Sequence, residues 1–251
     1  MEDPFAWFIL LMMAFVAETI DSSLGMGYGT ILSPVLILLG YNPLVVIPSI
    51  LFSQSLGGLS AALLHHRLKN ADFRRNSRDT HIVIMITILG AIATLGAVLL
   101  ATIIPKTFLK AYIGILVLLM GIILLSRIEF CFSWKKMIGV GIISSFNKGL
   151  SGGGFGPVVT SGQIISGHNH KNAIGVTTAS EVPICLMGFA MFCLLKGIPT
   201  LSVLLPLTIG SILATPVGTR ITHYFSEKSL RPVLGLLVTA LGIWTLIKTF
   251  V

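Results

Sequence analysis

The chain has 251 residues, 54% of them hydrophobic and only 10% charged, with a net charge of +8, and its mean hydropathy is +0.95. A soluble domain carries roughly a quarter charged residues and needs a polar exterior, so this composition excludes a soluble globule and predicts a chain solvated by lipid. The charge does not indicate nucleic acid either: five of the 17 basic residues fall between Arg67 and Arg78 and most others flank apolar runs, as in the cytoplasmic loops of membrane proteins.

A helix crosses the hydrocarbon core with about 20 apolar residues. The first such run, Phe5–Leu24, follows the acidic Met1-Glu2-Asp3-Pro4. A cleavable signal peptide starts with a positive region, so this run is predicted to be retained. Glu18 and Asp21 lie inside it, and the glycine cluster Gly25-Met26-Gly27-Tyr28-Gly29 follows. Next comes a short apolar piece, Thr30–Leu39, which at about 1.5 Å per residue is roughly half a bilayer long. Leu44–Leu64 holds Gln54, and after the basic loop come His81–Ile104 and Phe108–Ser126. A second set begins with Met137–Leu150, carrying Asn147 and Lys148, then Ser151 and the cluster Gly152-Gly153-Gly154-Phe155-Gly156. A second short piece, Pro157–Ser166, precedes Asn172–Leu195 with Glu181, then Leu201–Thr222 and Pro232–Thr249.

The two sets are related. At an offset of 127 residues the glycine clusters coincide, Ile37 meets Ile164, Gly40 meets Gly167, Asn42 meets Asn169 and Ser53 meets Ser180. Later the offset is 121, where Leu109 meets Leu230, Lys110 meets Arg231, Gly114 meets Gly235 and Gly121 meets Gly242. The difference is the extra length of the basic loop. The sequence therefore predicts an all-α polytopic membrane protein, a single membrane domain over residues 1–251. It has two repeat halves, approximately 5–126 and 137–249, with eight long helices and two short half-helices. If each short piece crosses or re-enters, each half has five elements and the halves are inverted; otherwise they are parallel. With the Arg67–Arg78 loop inside, the inverted arrangement puts twelve basic residues inside and four outside, against ten and six for the parallel one, leaving out Lys148. The positive-inside rule favours inversion, with the N-terminus outside.

Glycine inside an apolar run costs about 1 kcal/mol relative to alanine in a helix, and broken backbone at membrane depth is tolerated only where protein buries it or where it lines a cavity. Breaks at matched positions of two repeats point to the central site of a transporter. Each short helix then offers N–H groups and a partial positive charge to an anion. The candidate substrate-binding residues are Gly25, Gly27, Tyr28, Gly29, Asn147, Lys148, Ser151, Gly152, Gly153, Gly154, Phe155 and Gly156. At the 127 offset Asp21 aligns with Lys148, and Gln54 with Glu181. Charges this deep are functional by default, so Glu18, Asp21, Gln54 and Glu181 are candidates for proton or ion coupling. Lys148 either holds the halves together by pairing with a carboxylate or trades that carboxylate for an anion. Nearby hydroxyls (Ser22, Ser23, Ser144, Ser145, Ser151, Thr177, Thr178) either line a path or bond to their own helix carbonyls.

Other chemistry is weakly signalled. Cys131, Cys185 and Cys193 have no metal-ligand spacing with a histidine and read as small buried residues. His65, His66, His81, His168, His170 and His223 read as loop residues without three or four converging ligands, so no metal and no cofactor is expected. Neither glycine cluster is followed by the Gly-Lys-Ser/Thr of a nucleotide loop.

The stretches Asp21-Ser22-Ser23-Leu24-Gly25-Met26-Gly27-Tyr28-Gly29-Thr30-Ile31-Leu32-Ser33-Pro34 and Phe146-Asn147-Lys148-Gly149-Leu150-Ser151-Gly152-Gly153-Gly154-Phe155-Gly156-Pro157 resemble the sulfite exporter TauE/SafE family, and the resemblance covers essentially the whole chain. It implies a multi-pass plasma-membrane permease for sulfite, sulfonates or other sulfur-containing or organic anions, with a small anion and the lipid bilayer as partners. The sequence departs at Met26, where family members often carry a third adjacent glycine. The leading reading is a secondary transporter rather than an enzyme. A membrane-embedded enzyme, which would need a nucleophile–base pair or a metal cluster, and an anion channel are the alternatives.

Overall fold

The structure, a computed structural model, describes residues 4–125, 134–165, 169–224 and 231–250. It consists of ten helices, with no strand among the described residues. They are α1 (Pro4–Leu24), α2 (Tyr28–Leu38), α3 (Pro43–Arg67), α4 (Arg78–Ile103), α5 (Lys106–Leu125), α6 (Trp134–Ser151), α7 (Gly156–Ile165), α8 (His170–Lys196), α9 (Leu201–Tyr224) and α10 (Arg231–Phe250). Eight have 18 residues or more; α2 and α7 have 11 and 10. Six of them (α1, α3, α4, α5, α8 and α9) are long and apolar enough to cross a membrane.

Local chemistry fixes the ends. Asn42 caps α3 by accepting from Leu44 N at 3.2 Å, ahead of Pro43 at the first helical position, where proline is well tolerated. Its repeat mate Asn169 caps α8 in the same way, accepting from Lys171 N at 3.1 Å. The five described histidines are helical rather than loop residues. His65 and His66 close α3, His223 closes α9, and His81 and His170 lie in the first turns of α4 and α8; imidazoles at a helix C-terminus complement its exposed carbonyls. His168, Cys131 and the acidic start at residues 1–3 lie outside the described residues.

Contacts give the direction of each helix. Gly210 and Gly218 of α9 pack on Leu11 and on Thr19 and Ser22 of α1, and Gly57 and Ser60 of α3 meet Ser211 and Thr215. So α1, α3 and α9 run parallel. Gly90 meets Ser145 and Ile184, and Thr94 meets Gly149 and Gly188, making α4, α6 and α8 parallel too. Between these groups the direction reverses: Gly58 packs on Thr178 and Val182, Gly175 on His65, and Gly188 on Leu51. In the α5–α10 pair, Gly114 meets Leu246 and Gly121 meets Thr239, which is again antiparallel. Adding five to a helix number therefore reverses its direction, and the packing pattern repeats under the same operation. α1 lies on α9 as α6 lies on α4, and α3 lies on α9 as α8 lies on α4. The repeat is inverted, and its pseudo-twofold axis runs through the α3–α8 and α5–α10 pairs.

The short helices turn back. After Leu24 the chain reverses, and Leu32 and Leu36 of α2 pack on Leu10, Val46 and Val203, toward the face where α1, α3 and α9 begin. The matching cluster in the second half joins Phe155 and Val159 to Ile82, Ile86, Val176 and Ile184. A larger core between the halves includes Met26, Leu51, Val117 and Phe192. Large apolar side chains such as Ile92 (76% exposed) and Leu194 (82% exposed) cover the outside, where lipid is their solvent. Helix association there depends on close packing, which the contact glycines permit.

Candidate functional site

The two breaks meet at the centre. Gly25 and Gly27 have φ of +70° and +137°, and their mates Gly152 and Gly154 have +78° and +81°, values that L side chains rarely adopt. Gly29 and Gly156 are required for closeness instead. A Cβ on Gly29 would overlap the Gly152 carbonyl, and one on Gly156 would overlap the Gly25 carbonyl. Hydroxyls on the short helices tie the breaks together: Ser33 donates to Ser151 O at 2.7 Å, and Thr160, at the matched position, donates to Gly25 O at 2.9 Å. The departure at Met26 is accommodated, since its side chain enters the apolar core beside Gly156.

Four polar side chains, two from each half, join between the breaks. Lys148 Nζ lies 3.2 Å from Glu181 Oε1 and donates to Gln54 Oε1. Gln54 Nε2 donates to Glu181 Oε2 at 3.0 Å and to Asp21 Oδ2 at 3.2 Å. Asp21 and Lys148 are repeat mates, as are Gln54 and Glu181. Because Gln54 and Glu181 exchange under the inverted twofold and touch each other, they sit on its axis, level with the mid-plane. The network binds the halves together and anchors Lys148. Every candidate substrate residue is buried, as are Glu18, Asp21, Gln54 and Glu181.

The two helix starts differ. Asp21 Oδ1 accepts from Tyr28 N at 3.0 Å, so α2 already has a carboxylate at its N-terminus. At the matched place before α7 stands Lys148, which cannot accept. Gly154 N donates instead to Thr30 Oγ1 at 3.3 Å, across the halves. Tyr28 OH reaches Ser53 Oγ at 2.7 Å and donates to Leu207 O at 3.2 Å, while its mate Phe155 is fully buried in apolar contact.

The hydroxyls divide. Ser22, Ser23 and Ser151 bond to carbonyls of their own helix, at Glu18, Ile20 and Asn147, as the sequence allowed. Thr177 Oγ1 accepts from Gln163 and lies 2.9 Å from Thr160 Oγ1. Ser144, Ser145 and Thr178 have buried hydroxyls with no partner among the described residues. Sequence reasoning missed Tyr112, whose hydroxyl donates to Asn147 Oδ1 at 2.5 Å, and Ser211, which donates to Glu18 Oε2 at 3.1 Å. Neither has a chemical mate at its repeat position. Ser33 and Thr160, also missed, could have been found from their 127 offset.

A family model described as "Sulfite exporter TauE/SafE" matches residues 10–245. A curated relative from Bacillus subtilis (strain 168), named "Probable membrane transporter protein YtnM", is 26% identical over 260 residues, covering 96% of this chain and 84% of that protein. No solved structure matches the chain. The chain belongs to the sulfite exporter TauE/SafE family and is a multi-pass membrane transporter.

Proposed function

We propose that this transporter is a secondary permease or exporter that moves a small anion, sulfite, a sulfonate or another sulfur-containing or organic anion, across the plasma membrane. It performs no covalent chemistry on its cargo. The observation that carries the reading is the buried Lys148–Glu181 pair on the axis of an inverted repeat, at 3.2 Å and held by Gln54. A buried ammonium needs a counter-charge. When the halves rock apart, an anion takes the place of Glu181 beside Lys148.

The asymmetry of the helix starts supports this choice of ligand. Asp21 places its carboxylate on the α2 N-terminus. A substrate anion beside Lys148 would take the matching place at α7, with α7 N–H groups and the ammonium as its positive partners. The low local dielectric strengthens each contact. Released Glu181 then faces Asp21 without a cation, which adds negative charge to the buried cluster, so anion binding favours proton uptake by the carboxylates around it and links transport to a proton gradient.

The test is an uptake screen in proteoliposomes with radiolabelled sulfite, sulfoacetate, sulfate and a carboxylate, with and without a pH gradient. Saturable uptake of a sulfur-containing anion that is lost in Lys148→Met is the expected result. If none of the four moves, or if Lys148→Met moves them as the wild type does, the reading fails.

A further inference from the structure

We propose that Glu18 carries the coupling proton, and that a polar seam along α9 connects it to the face bearing the Arg67–Arg78 loop. The proposal rests on the transport reading above, but its test uses no anion, so the two can fail separately.

Glu18 is buried with too few hydrogens around its carboxyl group. The Ser211 hydroxyl is 3.1 Å from Glu18 Oε2 and 3.2 Å from the Ser53 carbonyl oxygen. It has one hydrogen to give, and a carbonyl and an ionised carboxylate both only accept. Glu18 Oε1 has no hydrogen-bond partner among the described residues, although the residue is wholly buried. The ionisable groups facing Glu18 are Asp21 on its own helix, Tyr28 on α2, Lys148 on α6, and Glu181 and the Cys185 thiol on α8. Of these only Lys148 is a cation, and Glu181 and Gln54 already hold it. A proton on Oε2 completes the arrangement: Glu18 donates to Ser211, and Ser211 donates to Ser53 O. Asp21, by contrast, has both oxygens satisfied by Tyr28 N and Gln54, and Glu181 has Lys148 and Gln54. They serve the lysine, and Glu18 is left for the proton.

A route follows from the same helix. Four residues beyond Ser211, Thr215 meets Ser60 at 2.9 Å. The Thr219 carbonyl accepts from Asn70 at 3.2 Å, and Thr222 donates to Ser22 O at 2.9 Å. His65, fully buried, puts Nε2 3.1 Å from Ser22 O and Nδ1 3.1 Å from Asn70 Nδ2. Asn70 Oδ1 is 3.2 Å from Nδ1 of His223, which is half-buried at the loop-bearing face. Spacings of three and four keep these groups on one side of α9.

The second half repeats one hydroxyl of the seam, Thr215 as Thr94, and not the others. At the 121 offset Ser211, Thr219 and Thr222 become Gly90, Val98 and Ala101; at 127, Glu18 becomes Ser145 and His65 becomes Phe192. The correspondence is physical as well as sequential: Ser145 packs on Gly90 beside Ile184 as Glu18 and Ser211 pack beside Gly57. Groups needed only for packing would recur in both halves. A polar seam in one half opens to one face. The proton that Glu18 binds on one carboxyl oxygen comes from water at that face and returns to it, and no other bond changes.

The experiment follows the infrared carbonyl stretch of a protonated buried carboxyl as the purified wild-type protein is moved from H2O to D2O. We expect the band in the wild type and its absence in Glu18→Gln. We expect its exchange to slow at least tenfold in His65→Phe and in the double variant Thr215→Val with Thr222→Ala, which remove the imidazole and two hydroxyls of the seam. The double variant decides if His65→Phe does not fold. No band in the wild type, a band surviving Glu18→Gln, or wild-type exchange in the seam variants overturns the proposal.

Discussion

Gly27 and Gly154 hold φ values of +137° and +81°, and a larger residue at either would carry backbone strain of order 1–3 kcal/mol plus a clash with Ile20 or Leu116. Gly27→Leu and Gly154→Leu are therefore expected to abolish sulfite uptake while the protein still inserts. Normal transport by both variants would remove the breaks from the mechanism. These positions were legible because two glycine clusters recur at one offset inside apolar runs, where a break must be buried or line a cavity. Lys148, Asp21, Gln54 and Glu181 were legible as deep polar residues at that offset, yet the sequence left the partner of Lys148 open among Asp21, Glu18 and Glu181. Tertiary packing decides: Glu181 and Gln54 hold the ammonium, while Asp21 is drawn to the α2 N-terminus. His65 was misjudged because it borders the basic loop; the final turn of α3 carries it inward to Ser22.

Helix boundaries were legible to within three residues, since apolar runs and the Asn42 and Asn169 caps mark them. The reversal of α2 and α7 was not, because a glycine break permits either continuation or return, and only the packing of Leu32 and Leu36 on Leu10 and Val46 settles it. Packing also sets the sensitivity of the α5–α10 pair. A Cβ at Gly121 would lie 2.5 Å from Thr239 N, and one at Gly242 would lie 2.5 Å from Leu118 N. Gly121→Leu should cost about 1–3 kcal/mol by overpacking, read as a lower melting temperature, whereas the same change at Gly96, where nothing lies within 4 Å, should be nearly silent. A melting temperature unchanged by Gly121→Leu would contradict this helix crossing.

The inverted repeat puts the Arg67–Arg78 loop and the starts of α6, α8 and α10 on one face, and Pro4 and the starts of α3, α5 and α9 on the other. Among the described residues outside the core, Lys106, Lys110, Lys196 and Lys248 lie toward the second face, and the other basic residues lie toward the first. The positive-inside rule predicts a cytoplasmic loop, so Ser77→Cys should resist a membrane-impermeant thiol reagent in intact cells, judged against a background free of other reactive cysteines. Labelling there would reverse the orientation. The central claim is that Lys148 trades Glu181 for a substrate anion. It is tested most directly by titrating sulfite into purified wild type, Lys148→Met, Lys148→Arg and Lys148→Met with Glu181→Gln, each also melted. Lys148→Met should weaken binding at least tenfold, about 1.4 kcal/mol, and lose stability, because Glu181 is left as an unpaired buried charge. Lys148→Arg should keep part of the affinity, since the charge stays while its shape changes. Glu181→Gln should restore the stability of the double variant but not its sulfite affinity. Wild-type sulfite affinity in Lys148→Met, or its return in the double variant, would contradict the exchange and leave the lysine a structural tie between the halves.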